Sequence, residues 1–113
     1  MNNRETGSVW EDKACEYLSA NGITILEQNY RCRMGEIDII GKDCDTYIFV
    51  EVKYRRTSHY GLSYEAVTPK KQHKIINVAQ YYLISHNIPV NTKLRFDVCG
   101  FDNGSLTYIK NAF

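Results

Sequence analysis

The chain has 113 residues, 43% of them hydrophobic and 24% charged, with a formal net charge of +1. That length suits one domain spanning 1–113 around one modest core, and the composition excludes a collagen-like, low-complexity or disordered chain. Apolar runs as short as Ile48-Phe49-Val50 exclude a membrane-spanning helix, which needs about 20 apolar residues, so no membrane partner is expected.

Met1-Asn2-Asn3-Arg4-Glu5 is followed by no apolar core of the kind a secretory leader carries, so a cytoplasmic location is expected. Cys15, Cys32, Cys44 and Cys99 form no Cys-x-x-Cys pair and no zinc-finger spacing, and reduced thiols are the simplest reading. Charge is unevenly spread. Residues 53–74 hold Lys53, Arg55, Arg56, Lys70, Lys71 and Lys74 against Glu65 alone, a local +5 on a body of −4. Such a segment is either a phosphate-facing edge or a solvated loop and helix start.

In chain order, Trp10, Ala14, Tyr17 and Leu18 recur at helical spacing and predict a helix over 8–20, stopped by Asn21-Gly22. Ser8 and Glu11 fit a capping box at its start. Strands are predicted over 23–31, 35–42 and 46–54, the last two joined by Asp43-Cys44-Asp45. Residues 55–67 read as a connection containing Arg and Tyr, and Tyr54, Tyr60 and Tyr64 of the basic window are candidates for stacking on bases. A second helix begins at Thr68-Pro69, an N-cap followed by proline in the first turn, and carries the stripe Ile75, Ile76, Ala79, Tyr82 and Leu83. It ends near His86-Asn87, before Pro89. Strands over 93–101 and 106–110 close a hairpin on Asn103-Gly104, a turn that also explains the sequon-like Asn103-Gly104-Ser105. The order αβββαββ predicts an α/β fold, one mixed sheet with helices packed on it.

The charges inside the strands carry the chemistry. Strict alternation puts Glu36 and Asp38 on one face of their strand and Ile37 and Ile39 on the other. It likewise separates Phe49, Glu51 and Lys53 from Ile48, Val50, Val52 and Tyr54. A four-residue loop at 43–46 pairs residues whose numbers sum to 89, which sets Asp38 across from Glu51. Two carboxylates about 5 Å apart must share a proton or bind a cation. Oxygen ligands suit Mg²⁺ or Mn²⁺, and Lys53 beside them suits work on a phosphate or on an attacking water. The alternative is an ordinary Asp–Lys–Glu network on a wet sheet face. Lys70 and Lys71 in a helix's first turn oppose its dipole, which a bound phosphate would turn into attraction. His59, His73 and His86 make no triad, and there is no Walker A loop.

Gly35-Glu36-Ile37-Asp38 followed by Phe49-Val50-Glu51-Val52-Lys53 resembles the D…(D/E)xK core of the restriction-endonuclease-like superfamily. The whole chain resembles the YraN-like family of small bacterial proteins. The match takes in the Gly7–Glu11 helix start, Asn29-Tyr30-Arg31, Arg55 and Arg56, Ala66-Val67-Thr68-Pro69 with Lys71-Gln72, and Arg95-Phe96-Asp97-Val98. The element order is also similar to that of archaeal Holliday junction resolvases, which are homodimers. The resemblance implies an αβββαβ core with a mixed central sheet flanked by helices. It implies Asp38, Glu51 and the Val52 carbonyl as metal ligands, Lys53 as the residue assisting the nucleophilic water, and Glu11 as a helix-borne acid joining the site, beside its capping role. Cys44 departs from the glycine more usual in that turn. Nucleic-acid contacts are expected from Arg31, Arg33, Arg55, Arg56, Lys70, Lys71 and Lys74. Two functions follow: a Mg²⁺-dependent nuclease acting on DNA, including branched or structured DNA, or a non-catalytic nucleic-acid-binding or accessory module on the same fold.

Overall fold

A computed structural model of the chain describes residues 3–55 and 67–113, with side chains from Val9 onward. The described residues form helix α1 (Asn3–Ala20), strands β1 (Thr24–Cys32), β2 (Gly35–Asp43) and β3 (Thr46–Arg55), helix α2 (Pro69–Ser85), and strands β4 (Lys93–Asp102) and β5 (Ser105–Ile109). The strands lie side by side in chain order. All neighbours run antiparallel except β3 and β4, which are parallel and joined through α2. The mixed α/β architecture agrees with the sequence reading. Among the described residues no helix is long and apolar enough to cross a membrane.

Local chemistry sets most of the element ends. At the end of α1, Gly22 N–H donates to Ser19 O at 3.1 Å and Ile23 N–H to Leu18 O at 3.0 Å, with Gly22 at φ +82°. This is a Schellman closure, and Leu18 and Ile23 complete it by packing in one cluster. The closure recurs after α2. Asn87 takes φ +55°, Asn87 N–H reaches Ile84 O, and Ile88 N–H reaches Leu83 O at 2.9 Å. Thr68 caps the start of α2, its Oγ1 accepting from Lys71 N–H at 3.3 Å. Asn103 and Gly104 both take positive φ between the paired Asp102 and Ser105, the requirement of a type I′ hairpin.

The sheet separates two cores. On one side Ile40, Phe49 and Val98 pack with Ile75, Val78, Ala79 and Tyr82 of α2. On the other, Ile39, Ile48, Val50, Cys99 and Phe101 pack with Ala14 and Leu18 of α1. Trp10 of α1 tilts against Phe101 and stacks on Tyr54 at 5.8 Å, so Tyr54 is committed to packing rather than presented to a base.

Several expectations are corrected. The first helix starts at Asn3, ahead of Ser8, so Ser8 cannot be its N-cap and the capping-box reading of Glu11 fails. Val78, absent from the expected stripe, is fully buried, whereas Ile76 and Leu83 are half-buried. The turn between β2 and β3 is tighter than the expected loop, because Asp43 pairs with Thr46 and leaves Cys44-Asp45 between them, yet the register is the expected one. Cys44 sits there at φ +55°, a conformation that favours glycine. Strict alternation also fails in β2, since Ile37 packs in the α2 core and Ile39 in the α1 core. All four cysteines are free thiols.

Candidate active site

The break in β2 makes the site. Pairing between β2 and β3 runs from Asp43↔Thr46 to Ile39↔Val50 and stops one step before Asp38 and Glu51. Beyond that step β2 stays with β1 as far as Cys32↔Gly35, while β3 stays with β4 as far as Arg55↔Asp102. The two central strands therefore part, and the backbone of β3 is left facing a gap. Asp38 fills it: its Oδ2 accepts the Val52 N–H at 2.8 Å, taking the place of a ladder carbonyl. Asn29 falls between the paired Gln28↔Ile39 and Tyr30↔Ile37 and adopts φ +54°, so β1 is irregular where β2 turns.

Two polar groups meet around Asp38. The first comes from β3 and α2. Glu51 is 5% exposed, and its Oε1 lies 3.5 Å from Lys53 Nζ and 3.8 Å from Lys71 Nζ. The second comes from α1, β1 and β2. Asn29, with its amide nitrogen turned toward the carboxylates, donates to Glu11 Oε1 at 2.6 Å and to Glu36 Oε1 at 3.3 Å. Arg31 Nε pairs with Glu36 Oε2 at 3.0 Å.

The electrostatics are those of acids held together against their preference. Burial, reinforced by the charge of Asp38, pushes the Glu51 carboxyl up to about 7 despite both lysines. Burial followed by the charges of Asp38 and Glu36 pushes Glu11 up to about 7. Asp38 itself is raised, chiefly by burial, with the Val52 N–H and the two lysines working the other way. A cluster that resists ionisation when alone is one that a cation relieves.

The donor set fits a hard divalent ion incompletely filled by protein. Asp38, half-buried, and Glu51, buried, offer carboxylate oxygens on adjacent strands, and Val52 carries a carbonyl between Glu51 and Lys53. Among the described residues no group of three or more Asp, Glu, His or Cys side chains is placed to hold a metal ion, so protein carboxylates would supply at most two ligands. Mg²⁺ commonly takes one or two carboxylates and keeps its remaining waters, so this sparse set matches that ion better than zinc or calcium.

The expected site residues thus divide. Asp38, Glu51 and Lys53 come together, and Glu11 approaches Asp38 from α1. Lys71, expected as a phosphate contact, turns inward to Glu51, whereas Lys70 and Lys74 are exposed on α2. Arg31 and Arg33 are exposed at the β1–β2 turn, and Arg55 is half-buried at the end of β3. Arg56, His59, Tyr60 and Tyr64 lie outside the described residues. Asn29 and Glu36 were not singled out for the acid cluster. An asparagine in mid-strand, where that residue is disfavoured, was the available signal.

The fold and the cluster define a small mixed α/β protein with a buried Glu51, a half-buried Asp38 and lysines at the parting of two central strands. Its relatives have the same extent. Over residues 10–101 the chain matches the uncharacterised protein family UPF0102, and it belongs to that family, the YraN-like proteins. A UPF0102 protein of Lachnoclostridium phytofermentans is 45% identical over 113 residues, covering 100% of this chain and 96% of its own. One from Clostridioides difficile is 52% identical over 98 residues, 87% of this chain and 85% of its own. One from Persephonella marina is 45% identical over 107 residues, 95% and 91% of the two chains.

Proposed function

We propose that this protein is a Mg²⁺- or Mn²⁺-dependent nuclease that hydrolyses DNA phosphodiester bonds, with branched or structured DNA in repair or recombination as its substrate class. The observation that carries the reading is the acid pair at the strand parting, with the Lys53 ammonium 3.5 Å from Glu51 Oε1. Asp38 and Glu51, with the Val52 carbonyl, would hold the ion. When bound there, the ion would polarise a phosphoryl oxygen and lower the pKa of a water. Asp38 is oriented by the Val52 N–H, which donates to its Oδ2. Lys53 is fixed beside them by strand geometry and supplies N–H donors to the attacking water or to charge developing on phosphate. Glu11, tethered through Asn29, brings a further acid from α1 near Asp38 without making a three-acid ligand group. Arg31, Arg33, Arg55, Arg56, Lys70 and Lys74 would hold flanking phosphates. Two copies would be needed to cut both strands of a branched substrate, since the described residues of one chain supply one such cluster.

The test is a cleavage panel of duplex, single-stranded, flapped and four-way DNA, with Mg²⁺, Mn²⁺ or chelator. Cleavage that needs the metal and disappears in both Asp38→Ala and Lys53→Ala is the expected result. Cleavage surviving either change would mark a contaminant and remove the proposal.

A second reading, a nucleic-acid-binding module without catalysis, is favoured by one observation: Glu51 already has two ammonium partners without any ion. It predicts salt-sensitive binding that needs no metal and is indifferent to Asp38→Ala.

A further inference from the structure

Lys71 differs from the other cations of its segment. Lys70 and Lys74 are exposed on α2, whereas Lys71 reaches across to Glu51 Oε1, the oxygen that Lys53 already approaches. The two ammonium groups that meet at this oxygen also act on Asp38, so two lysines serve a pair of acids.

The two lysines are held differently. Lys53 follows Glu51 by two residues on the same strand and must stay on its face. Its side chain is 32% exposed, that of Lys71 is 40% exposed, and the Lys71 contact is the longer at 3.8 Å against 3.5 Å. The Lys71 backbone is pinned by the Thr68 cap, so the helix start stays in place while the four-carbon stem is free to swing. Beside it lies the N-terminal end of α2, where a phosphate group is electrostatically welcome.

We propose that Lys71 is a displaceable counter-ion, neutralising Glu51 while no divalent ion is bound and transferring its ammonium to a phosphate oxygen of nucleic acid when the ion takes Glu51. The inference rests on the metal-dependent reading and adds a role for a residue outside the acid pair. A divalent ion at Glu51 with both ammoniums in place would concentrate like charge within a few ångströms, and the longer, more exposed, helix-borne group is the one that yields. Lys71 is then a positioning residue whose departure couples metal entry to substrate capture.

Calorimetry with Mn²⁺ alone on the full chain tests this. Lys71→Met keeps the straight stem and helix propensity but removes the competitor. It is expected to bind Mn²⁺ about three- to tenfold more tightly than the unaltered protein. Lys71→Arg should restore the weaker affinity. Lys93→Met removes a cation paired with Asp45 at the far end of the sheet and should leave the affinity unchanged. A duplex oligonucleotide titrated in Ca²⁺ should bind Lys71→Met more weakly than the unaltered protein, and equally well in chelator. Mn²⁺ binding seen only in Lys71→Met also supports the proposal. If the unaltered protein binds Mn²⁺ and Lys71→Met binds it equally or less well, the counter-ion role is wrong and the metal site stands. If neither protein binds Mn²⁺, the metal site itself is wrong and the counter-ion role falls with it.

Discussion

Replacing Glu51 with glutamine separates a stabilising ion network from an acid kept for function. Glu51 is 5% exposed, and its carboxyl is pushed from 4.5 to about 7, by burial first and by Asp38 second, with Lys71 and Lys53 only partly offsetting this. At 1.36 kcal/mol per pH unit, holding Glu51 ionised costs the folded state about 3 kcal/mol, part of it belonging to the pair with Asp38. A carboxyl raised on folding favours the folded chain below its unfolded value, and that advantage is lost as pH climbs through the folded value. The loss here falls between pH 4.5 and about 7. Glutamine is shaped like the neutral acid and never bears that cost. Glu51→Gln is therefore expected to be more stable than the unaltered protein at pH 8 by roughly 2–3 kcal/mol, or about 10 °C in Tm, and nearly equal to it at pH 4.5. Urea unfolding at both pH values in chelator measures the difference. Equal or lower stability of Glu51→Gln at pH 8, or an offset that ignores pH, would show that the lysine pairs outweigh burial and that the cluster is an ordinary ion network. Under the proposed function, Mn²⁺ should raise the stability of the unaltered protein and leave Glu51→Gln unmoved.

Three further outcomes test the frame around the site. Asp97 is fully buried and accepts from Arg95 Nε, the Tyr108 hydroxyl and Asn111 N–H, while Arg95 Nη2 is buried without a partner. Asp97→Ala should cost about 3–5 kcal/mol in denaturant unfolding, because it leaves the guanidinium charge uncompensated. A Cβ on Gly41 would meet Ile23 Cγ2 at 2.8 Å and Thr24 O at 3.2 Å, so Gly41→Ala should destabilise by about 1–3 kcal/mol in the same assay. Cys44→Gly removes a side chain from φ +55° at the β2–β3 turn and should raise stability by up to about 1 kcal/mol, measured by thermal unfolding, without altering the register.

Much of the frame was readable because its signals are local. Asn21-Gly22, Thr68-Pro69, His86-Asn87 and Asn103-Gly104 mark ends and turns through their own backbone preferences, and each sits where those preferences place it. The β2–β3 register was also readable, since a short turn between two patterned strands allows few pairings, but it ends at Ile39↔Val50, so the expected direct pairing of Asp38 with Glu51 is not formed. Glu11 shows the limit of local reasoning. Ser8 and Glu11 satisfy a capping pattern, but the helix runs past them toward Asn3, and Glu11 is held by Asn29 from another strand.

Sequence alone determined the order of the elements, the turns between them, and the acids and lysine of β2 and β3, because short-range sterics and side-chain periodicity act within a few residues. Tertiary structure alone decided that β2 leaves β3 at Asp38, that Ile37 and Ile39 pack into opposite cores, and that Asn29, Glu36 and Lys71 join the cluster. A strand follows a regular alternation only while its neighbours keep pace with it. Where β1 and β3 draw β2 in different directions, competition between distant contacts overrides the period, and no window of sequence contains that competition.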